Sequence, residues 1–165
     1  MWLLSFLPAT LHEKFGPFIP TTLPVILAGL SDENEGVREV AMRAGQVVVS
    51  ILGKSHTHDV LPALAKGMFD EDYRIRHSSV VLLGDLLYMV GDTKAVGMAD
   101  GEDDNEDLGT GVSGSSRAAI NIRAHCGERA ANAMFASLYI IRSDVASNVR
   151  QAALQVPILP SLITI

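Results

Sequence analysis

The chain contains 165 residues, of which 48% are hydrophobic and 19% are charged, and this balance fits one ordinary folded domain or a few repeat units. Lys and Arg number 13 against 19 Asp and Glu, and the resulting net charge of −6 argues against binding to a nucleic-acid backbone, which depends on excess Lys and Arg. No apolar run approaches the roughly 20 residues of a membrane-spanning helix. The single cysteine, Cys126, excludes an internal disulfide framework and fits a cytoplasmic protein.

Residues 1–16 are predicted to be part of a helix that packs on something upstream. Met1–Pro8 is apolar and could be mistaken for a signal peptide. However, no Lys or Arg precedes the apolar stretch, and the stretch is shorter than most signal cores. A partial upstream helix is therefore the preferred interpretation.

A repeat of 38 residues follows, and its first two copies span 17–52 and 56–90. The strings LPVILAGLSDENEGVREVAMRAGQVVVSIL, from Leu23, and LPALAKGMFDEDYRIRHSSVVLLGDLLYMV, from Leu61, align at this offset without a gap. Self-similarity at such a period is typical of stacked helical repeats, because one helix pair cannot bury its own apolar face. Identical pairs are Leu23/Leu61, Pro24/Pro62, Gly29/Gly67, Asp32/Asp70, Glu33/Glu71 and Arg38/Arg76.

Each copy is predicted to form two helices, because apolar residues recur at helical spacing on both sides of a short polar turn. Asp32 is expected to cap the second helix of the first copy, with Glu35 completing a capping box. Pro24 and Pro62 are expected inside the first helices or near their starts. The second helix of the second copy is apolar almost all round, so it is expected to be covered on both sides. No sustained alternation predicts a sheet.

Residues 91–116 are predicted to form a disordered Gly- and Ser-rich surface loop, because few large apolar side chains are present to offset the ordering entropy. Within it, residues 100–107 read DGEDDNED and carry a local charge of −6, which equals the net charge of the whole chain. An acidic tract usually stays solvated. Docking of a basic partner is the alternative interpretation.

A third, weaker copy spans 117–156, where Asp144 and Arg150 repeat the spacing of the turn Asp and the helix-opening Arg. Pro157 and Pro160 interrupt what the repeat offset would make a longer second helix. Since proline removes a helical hydrogen bond, this helix is predicted to end near Gln155. Residues 157–165 are interpreted as an atypical C-terminal tail.

The unit of a proline-containing helix, a turn Asp and a second helix opened by Val-Arg or Ile-Arg resembles a HEAT repeat. The resemblance implies that the Asp and Arg residues form a ladder of ion pairs between adjacent repeats, a structural role and not a catalytic one. The residues to which it assigns this role, called the ladder residues below, are Asp32, Arg38, Asp70, Arg76, Asp144 and Arg150.

Three strings carry a narrower resemblance: LSDENEGVREVAMRAGQ, FDEDYRIRHSSVVLLGDLL and LYIIRSDVASNVRQAALQV. They are similar to the very large HEAT-repeat translational activators of the general control non-derepressible protein one family, over about residues 15–156. The resemblance implies a segment of a ribosome-associated protein that helps activate the amino-acid-starvation kinase of initiation factor two alpha. The implied partners are proteins, among them that kinase and the ribosome.

Short motifs that resemble nucleotide, calcium or zinc sites each lack part of the required pattern, and the sequence predicts no cofactor. Gly109–Gly114 matches G-x-G-x-x-G, but it lacks the preceding strand of a nucleotide site, so a flexible linker is preferred. The acidic run lacks the Gly and Glu positions of an EF-hand loop. His56, His58 and Asp59 have no second His/Cys pair at zinc spacing. The pair His125–Cys126 is equally isolated, so no metal site is predicted.

Arg117, Arg123, His125 and Arg129 form a basic concentration, interpreted as a solvated helix face, with an RNA contact as the alternative. No nucleophile motif occurs, so the sequence predicts no enzyme, and it does not name the residues that contact a partner.

The predicted fold is all-α, a HEAT/armadillo-like helical-repeat solenoid fragment of about three repeats with a disordered acidic insertion. By resemblance, the predicted function is a non-catalytic protein-binding scaffold in starvation-linked control of translation. A generic HEAT adaptor in transport or complex assembly is the alternative.

Overall fold

The computed structural model describes residues 2–91 and 114–156, which form helices joined by short turns. These residues contain no β-strand, and the predicted all-α helical-repeat class is confirmed. Two 3-10 helices, Trp2–Ser5 and His12–Phe18, lie before and after the first α-helix. The α-helices are α1 (Leu7–Leu11), α2 (Ile19–Gly29), α3 (Glu35–Leu52), α4 (Thr57–Gly67), α5 (Tyr73–Gly91), α6 (Gly114–Cys126), α7 (Glu128–Ile141) and α8 (Ser147–Gln155).

Three helix pairs follow one another in the described residues: α2–α3 is unit 1, α4–α5 is unit 2 and α7–α8 is unit 3. The first helices α2 and α4 pack against each other, and the second helices α3, α5 and α8 pack in a row with α5 in the middle. Helix α5 also packs against α4 and α6. Its nearly all-round apolar surface is therefore covered, as the sequence predicted, and Val80, Leu83 and Leu87 are buried.

One further helix, α6, precedes unit 3 and lies outside the two-helix pattern. Helix α6 packs against α4, α5 and α7, and it joins α7 through the single residue Gly127. Gly127 has a φ of +78°, a left-handed conformation that glycine adopts without the steric cost of a Cβ. This residue lets the chain turn sharply between α6 and α7.

The core is a layer of aliphatic side chains between the helices. Leu23 and Ile26 of α2 and Leu64 of α4 have no exposed surface. Inside unit 2, α4 and α5 approach closely where Gly67 meets Ser79, and a Cβ on Gly67 would overlap the Ser79 Oγ. The close approach places the Ser79 hydroxyl in the core, where Oγ has no hydrogen-bond partner.

Pro24 and Pro62 lie inside α2 and α4, as expected from the repeat. The predicted capping box of α3 is wrong, because the N-cap is Asn34 and Glu35 is the first residue of the helix. The Asn34 side chain accepts a hydrogen bond from the backbone N–H of Gly36 at 2.9 Å. Asp32 instead accepts from the backbone N–H of Asn34 at 2.8 Å and stabilises the turn two residues before the cap.

The segment predicted as a partial upstream helix, 1–16, is helical in short pieces from residue 2 onward. The 3-10 helix Trp2–Ser5 and the short helix α1 both pack against α3. The rings of Trp2 and Phe6 lie 4.7 Å apart, and both side chains are largely exposed.

Most of the predicted loop 91–116 lies outside the described residues, including the acidic run 100–107; α5 extends through Gly91 and α6 begins at Gly114. Helix α8 ends at Gln155, which confirms the helix end predicted from the two prolines. The tail 157–165 is likewise outside the described residues. None of the described helices is long and apolar enough to cross a membrane.

Candidate functional site: the ladder between the units

The ladder residues repeat one local arrangement in all three units. In each unit the helix-opening arginine reaches back, and its Nη1 donates to two carbonyl oxygens of the preceding turn. The cationic fork satisfies turn carbonyls that the helices leave without partners. The distances are 2.8 and 2.9 Å from Arg38 to Asp32 and Glu33, 2.9 and 2.8 Å from Arg76 to Asp70 and Glu71, and 2.7 and 3.0 Å from Arg150 to Asp144 and Val145.

The turn aspartates also repeat one role, since each Oδ1 accepts a hydrogen bond from the backbone N–H two residues later. Such turns fix the backbone before the second helix begins. The bonds run from Asn34 to Asp32 at 2.8 Å, from Asp72 to Asp70 at 3.0 Å and from Ala146 to Asp144 at 2.8 Å.

One ion pair joins equivalent Asp and Arg positions of different units in the described part of the chain. The Arg76 Nε donates to the Asp144 Oδ2 at 2.8 Å, and the Arg76 Nη2 donates to the Asp144 Oδ1 at 3.0 Å. The side chains are only 12% and 7% exposed, respectively. Such a two-point contact between planar groups is stronger and more directional than a single charge-assisted hydrogen bond.

The pair changes the protonation chemistry of both partners. The hydrogen bond from Arg76 is the main reason that the pKa of Asp144 lies below its usual value, although burial opposes the change. The same hydrogen bond raises the pKa of Arg76. Both groups are therefore held in their charged forms, and Arg76 connects the turn of unit 2 with the turn of unit 3.

The corresponding contact between units 1 and 2 is not formed. Arg38 makes no ion pair with Asp70 within the described residues and binds only the carbonyls of its own turn. Of the six ladder residues, the geometry thus places Arg76 and Asp144 together across a unit boundary. The Asp–Arg spacing is the same in every unit, so the sequence did not distinguish the boundary between units 2 and 3 from the boundary between units 1 and 2.

A surface groove of about 320 Å³ lies between the second helices of units 1 and 2. Burial raises the pKa of the Asp85 carboxyl in this groove, and a hydrogen bond with Gln46 partly offsets the effect. Sequence analysis did not single out Gln46 or Asp85. They lie 39 positions apart, one more than the repeat length, so the repeat alignment does not pair them. The groove is lined by Arg43, Gln46, Val47, Val49, Ser50, Asp85, Tyr88 and Met89.

The basic concentration lies on α6 and α7. The Arg123 Nη2 donates to the Asn132 Oδ1 at 3.4 Å, while His125 and Arg129 are exposed. Burial raises the pKa of the Cys126 thiol, which favours the unreactive protonated form. Arg117 lies in α6, and the motif Gly109–Gly114 lies almost entirely outside the described residues.

The structure brings His56, His58 and Asp59 together, with one ligand atom of each within 4.8 Å of the others. Glu13 joins them, because its Oε2 lies 3.2 Å from the His56 Nε2. Sequence analysis noted the first three residues but missed Glu13, which precedes His56 by 43 positions and belongs to no shared motif.

Comparison with known proteins shows where such a segment occurs. The human stalled ribosome sensor GCN1 is 41% identical over 154 residues, which cover 93% of this chain and 6% of that protein. The Dictyostelium discoideum eIF-2-alpha kinase activator GCN1 is 37% identical over 90% of this chain and 6% of its own. Protein ILITYHIA of Arabidopsis thaliana is 43% identical over 93% of this chain and 6% of its own.

No family model and no solved structure matches the chain. The chain spans about 6% of the length of the curated relatives that it matches. The relatives come from animals, a plant and an amoeba, and in each case the match covers nine-tenths or more of this chain. Together with the stacked helix pairs and their repeated Asp–Arg turns, these matches show that the chain belongs, as a short segment, to the GCN1 family of HEAT-repeat proteins.

Proposed function

We propose that the chain is a non-catalytic protein-binding scaffold segment of a cytoplasmic, ribosome-associated activator of the eIF-2-alpha kinase that responds to amino-acid starvation. The observation that carries the proposal is the similarity over about nine-tenths of the chain to proteins named stalled ribosome sensor and eIF-2-alpha kinase activator. The kinase and the ribosome are the partners of the whole protein in this proposal.

The architecture supports a scaffold role in two ways. Stacked helix pairs share a continuous core and present extended surfaces, which suits them to holding partners at fixed positions. The bidentate contact between Arg76 and Asp144 adds a directional contact between units 2 and 3, so that the positions of surface residues on these units are fixed relative to each other.

The test is replacement of the matching segment in the Saccharomyces cerevisiae eIF-2-alpha kinase activator GCN1, which is 32% identical over 94% of this chain. Yeast cells carrying the chimera are starved for an amino acid, and phosphorylation of eIF-2-alpha and sedimentation of the chimera with ribosomes are measured. A functional segment supports both, whereas deletion of the segment abolishes at least one.

Two variants of the chimera test whether the scaffold itself matters. Arg76→Met removes the contact between units 2 and 3, and it is expected to lower eIF-2-alpha phosphorylation. Arg74→Met is the matched control, since Arg74 is an exposed arginine of the same helix whose guanidinium lies over the Tyr73 ring.

Starvation signalling that is equal in the chimera and in the deletion refutes the proposal. If starvation signalling survives deletion of the segment but binding of other proteins is lost, the alternative function, a generic HEAT adaptor, is favoured.

A further inference from the structure

We propose that His56, His58 and Asp59 form a site for a divalent transition metal of the Zn²⁺ class, oriented by Glu13. The residues lie where the chain enters α4, next to the 3-10 helix His12–Phe18 that precedes α2. The site goes beyond the scaffold role, and it would attach the segment before unit 1 to the start of unit 2.

Two of the three distances within the cluster match the edges of a tetrahedral site, and one ring nitrogen of each histidine lies within 4.8 Å of the other. The Asp59 Oδ2 lies 3.4 Å from the His56 Nδ1 and 3.2 Å from the His58 Nε2. Zinc bound to nitrogen and oxygen at about 2.0–2.2 Å in a tetrahedron separates neighbouring ligand atoms by roughly 3.3 Å. A metal ion can therefore be reached by all three residues through small side-chain movements.

Glu13 has the position of a group that orients a metal-bound histidine. The His56 Nδ1 faces Asp59, so the Nε2 on the other side of the ring is left to donate to the Glu13 Oε2 at 3.2 Å. Histidines that bind metals commonly donate their second N–H to a carboxylate, which fixes the tautomer and the ring orientation. The Ser55 hydroxyl in turn donates to the Glu13 Oε1 at 3.0 Å.

Close packing also holds the His56 ring in place. A Cβ on Gly16 would overlap the His56 imidazole, so the ring lies directly against the backbone of the 3-10 helix. The His56 side chain is only 20% exposed, whereas the His58 side chain is 75% exposed and free to adjust. One closely packed ligand, His56, and one exposed ligand, His58, both facing the Asp59 Oδ2, make a site that needs little reorganisation.

The ligand chemistry selects the kind of metal. Two imidazoles and one carboxylate suit Zn²⁺ and its neighbours in the first transition row, whereas Mg²⁺ and Ca²⁺ prefer oxygen ligands. Three protein ligands leave one tetrahedral position for water. The positive end of the α4 dipole opposes a cation, but Asp59 in its first turn and Glu13 provide two negative charges that balance a divalent ion.

The experiment measures Zn²⁺ binding to the whole chain near neutral pH by competition with a chromophoric indicator. Excess Mg²⁺ occupies the exposed carboxylates, and Cys126→Ser removes the only thiol from the parent protein. We expect one Zn²⁺ per chain, and binding at least about tenfold weaker in His58→Gln and in Asp59→Asn. Glu13→Gln, which removes only the orienting carboxylate, is expected to weaken binding about 10- to 100-fold.

His125→Gln is the matched control, because His125 is an exposed histidine outside the cluster, and its affinity is expected to equal that of the parent. Helical circular dichroism confirms folding of each variant, and Zn²⁺ should raise the Tm of the parent but not of His58→Gln. Absence of stoichiometric binding, unchanged affinity in both ligand variants, or equal losses in His125→Gln would overturn the site. Unchanged affinity in Glu13→Gln would overturn the positioning role of Glu13.

Discussion

Replacing Arg76 with methionine should destabilise the chain far more than the same change at Arg38. Both arginines open the second helix of their unit and donate through Nη1 to two carbonyls of their own turn. Arg76 alone of the two also donates from Nε and Nη2 to the carboxylate of Asp144 in the next unit. The two substitutions therefore differ by one nearly buried ion pair.

The magnitude follows from what each substitution leaves behind. Arg76→Met strands the Asp144 carboxylate, which is 7% exposed, and breaking a buried pair by removing one partner costs about 3–5 kcal/mol. Because this pair lies at the edge of the core, we expect the lower end, about 3 kcal/mol in the free energy of unfolding. Arg38→Met removes hydrogen bonds to exposed carbonyls only, and we expect a cost of about 1 kcal/mol.

Urea titration of both single variants, Asp144→Asn and the double variant Arg76→Met/Asp144→Asn measures these costs. The double variant should be more stable than Arg76→Met, because the introduced asparagine amide carries no charge and its oxygen can still accept the hydrogen bond from the Ala146 N–H. Equal losses for Arg76→Met and Arg38→Met, or a double variant whose loss is the sum of its single variants, would show that the pair acts as two solvated surface charges.

Three further changes test the burial of polar groups. Asp85→Asn should raise stability at neutral pH, because burial raises the folded-state pKa of this carboxyl and its charged form is disfavoured; in pH-dependent melts the gain should shrink as pH falls toward 3.8. Burial lowers the pKa of His77, so below about pH 6.5 the unfolded chain binds more protons than the folded chain and the stability of the parent should fall. Melting at several pH values should show a smaller fall in His77→Gln. Gly67→Ala should cost about 1–3 kcal/mol in urea titration because the new methyl overlaps the Ser79 Oγ, and Gly67→Ala/Ser79→Ala should recover part of the loss; no loss in Gly67→Ala would contradict the close approach of α4 and α5.

Helix pairs and their order were predictable from the sequence because their signal is periodic. The 38-residue offset aligned the turns of units 1 and 2, and the apolar spacing identified their helices. The end of α8 was predictable because two prolines follow it. These features depend on local chain chemistry, which a sequence displays directly.

The capping residue of α3 and the choice of ladder contact were not predictable in the same way. Asp32, Asn34 and Glu35 all suit a helix start, and only the backbone geometry selects Asn34 as the cap. Similarly, Arg38 and Arg76 occupy equivalent repeat positions, yet only Arg76 reaches an aspartate of the next unit. That difference depends on how the units are oriented, and long-range orientation has no local signature.

The contact between Glu13 and His56 shows the same limit. The two residues are 43 positions apart and come from a 3-10 helix and from the N-cap of α4. Their encounter depends on the close approach of Gly16 to the imidazole ring. A sequence can name the histidines of such a cluster, but the partner that fixes a ring is found only in three dimensions.

Two polar contacts lie at opposite ends of the helix pairs, and only one of them joins two units; the other joins the segment before unit 1 to unit 2. Arg76 and Asp144 join units 2 and 3 at the turn between the helices of each pair. Glu13 and His56 join the segment before α2 to the start of α4, at the other end of these helices. Under a bending load, units 2 and 3 are therefore held together at their turn edge, whereas the segment before α2 is held to unit 2 at the opposite edge.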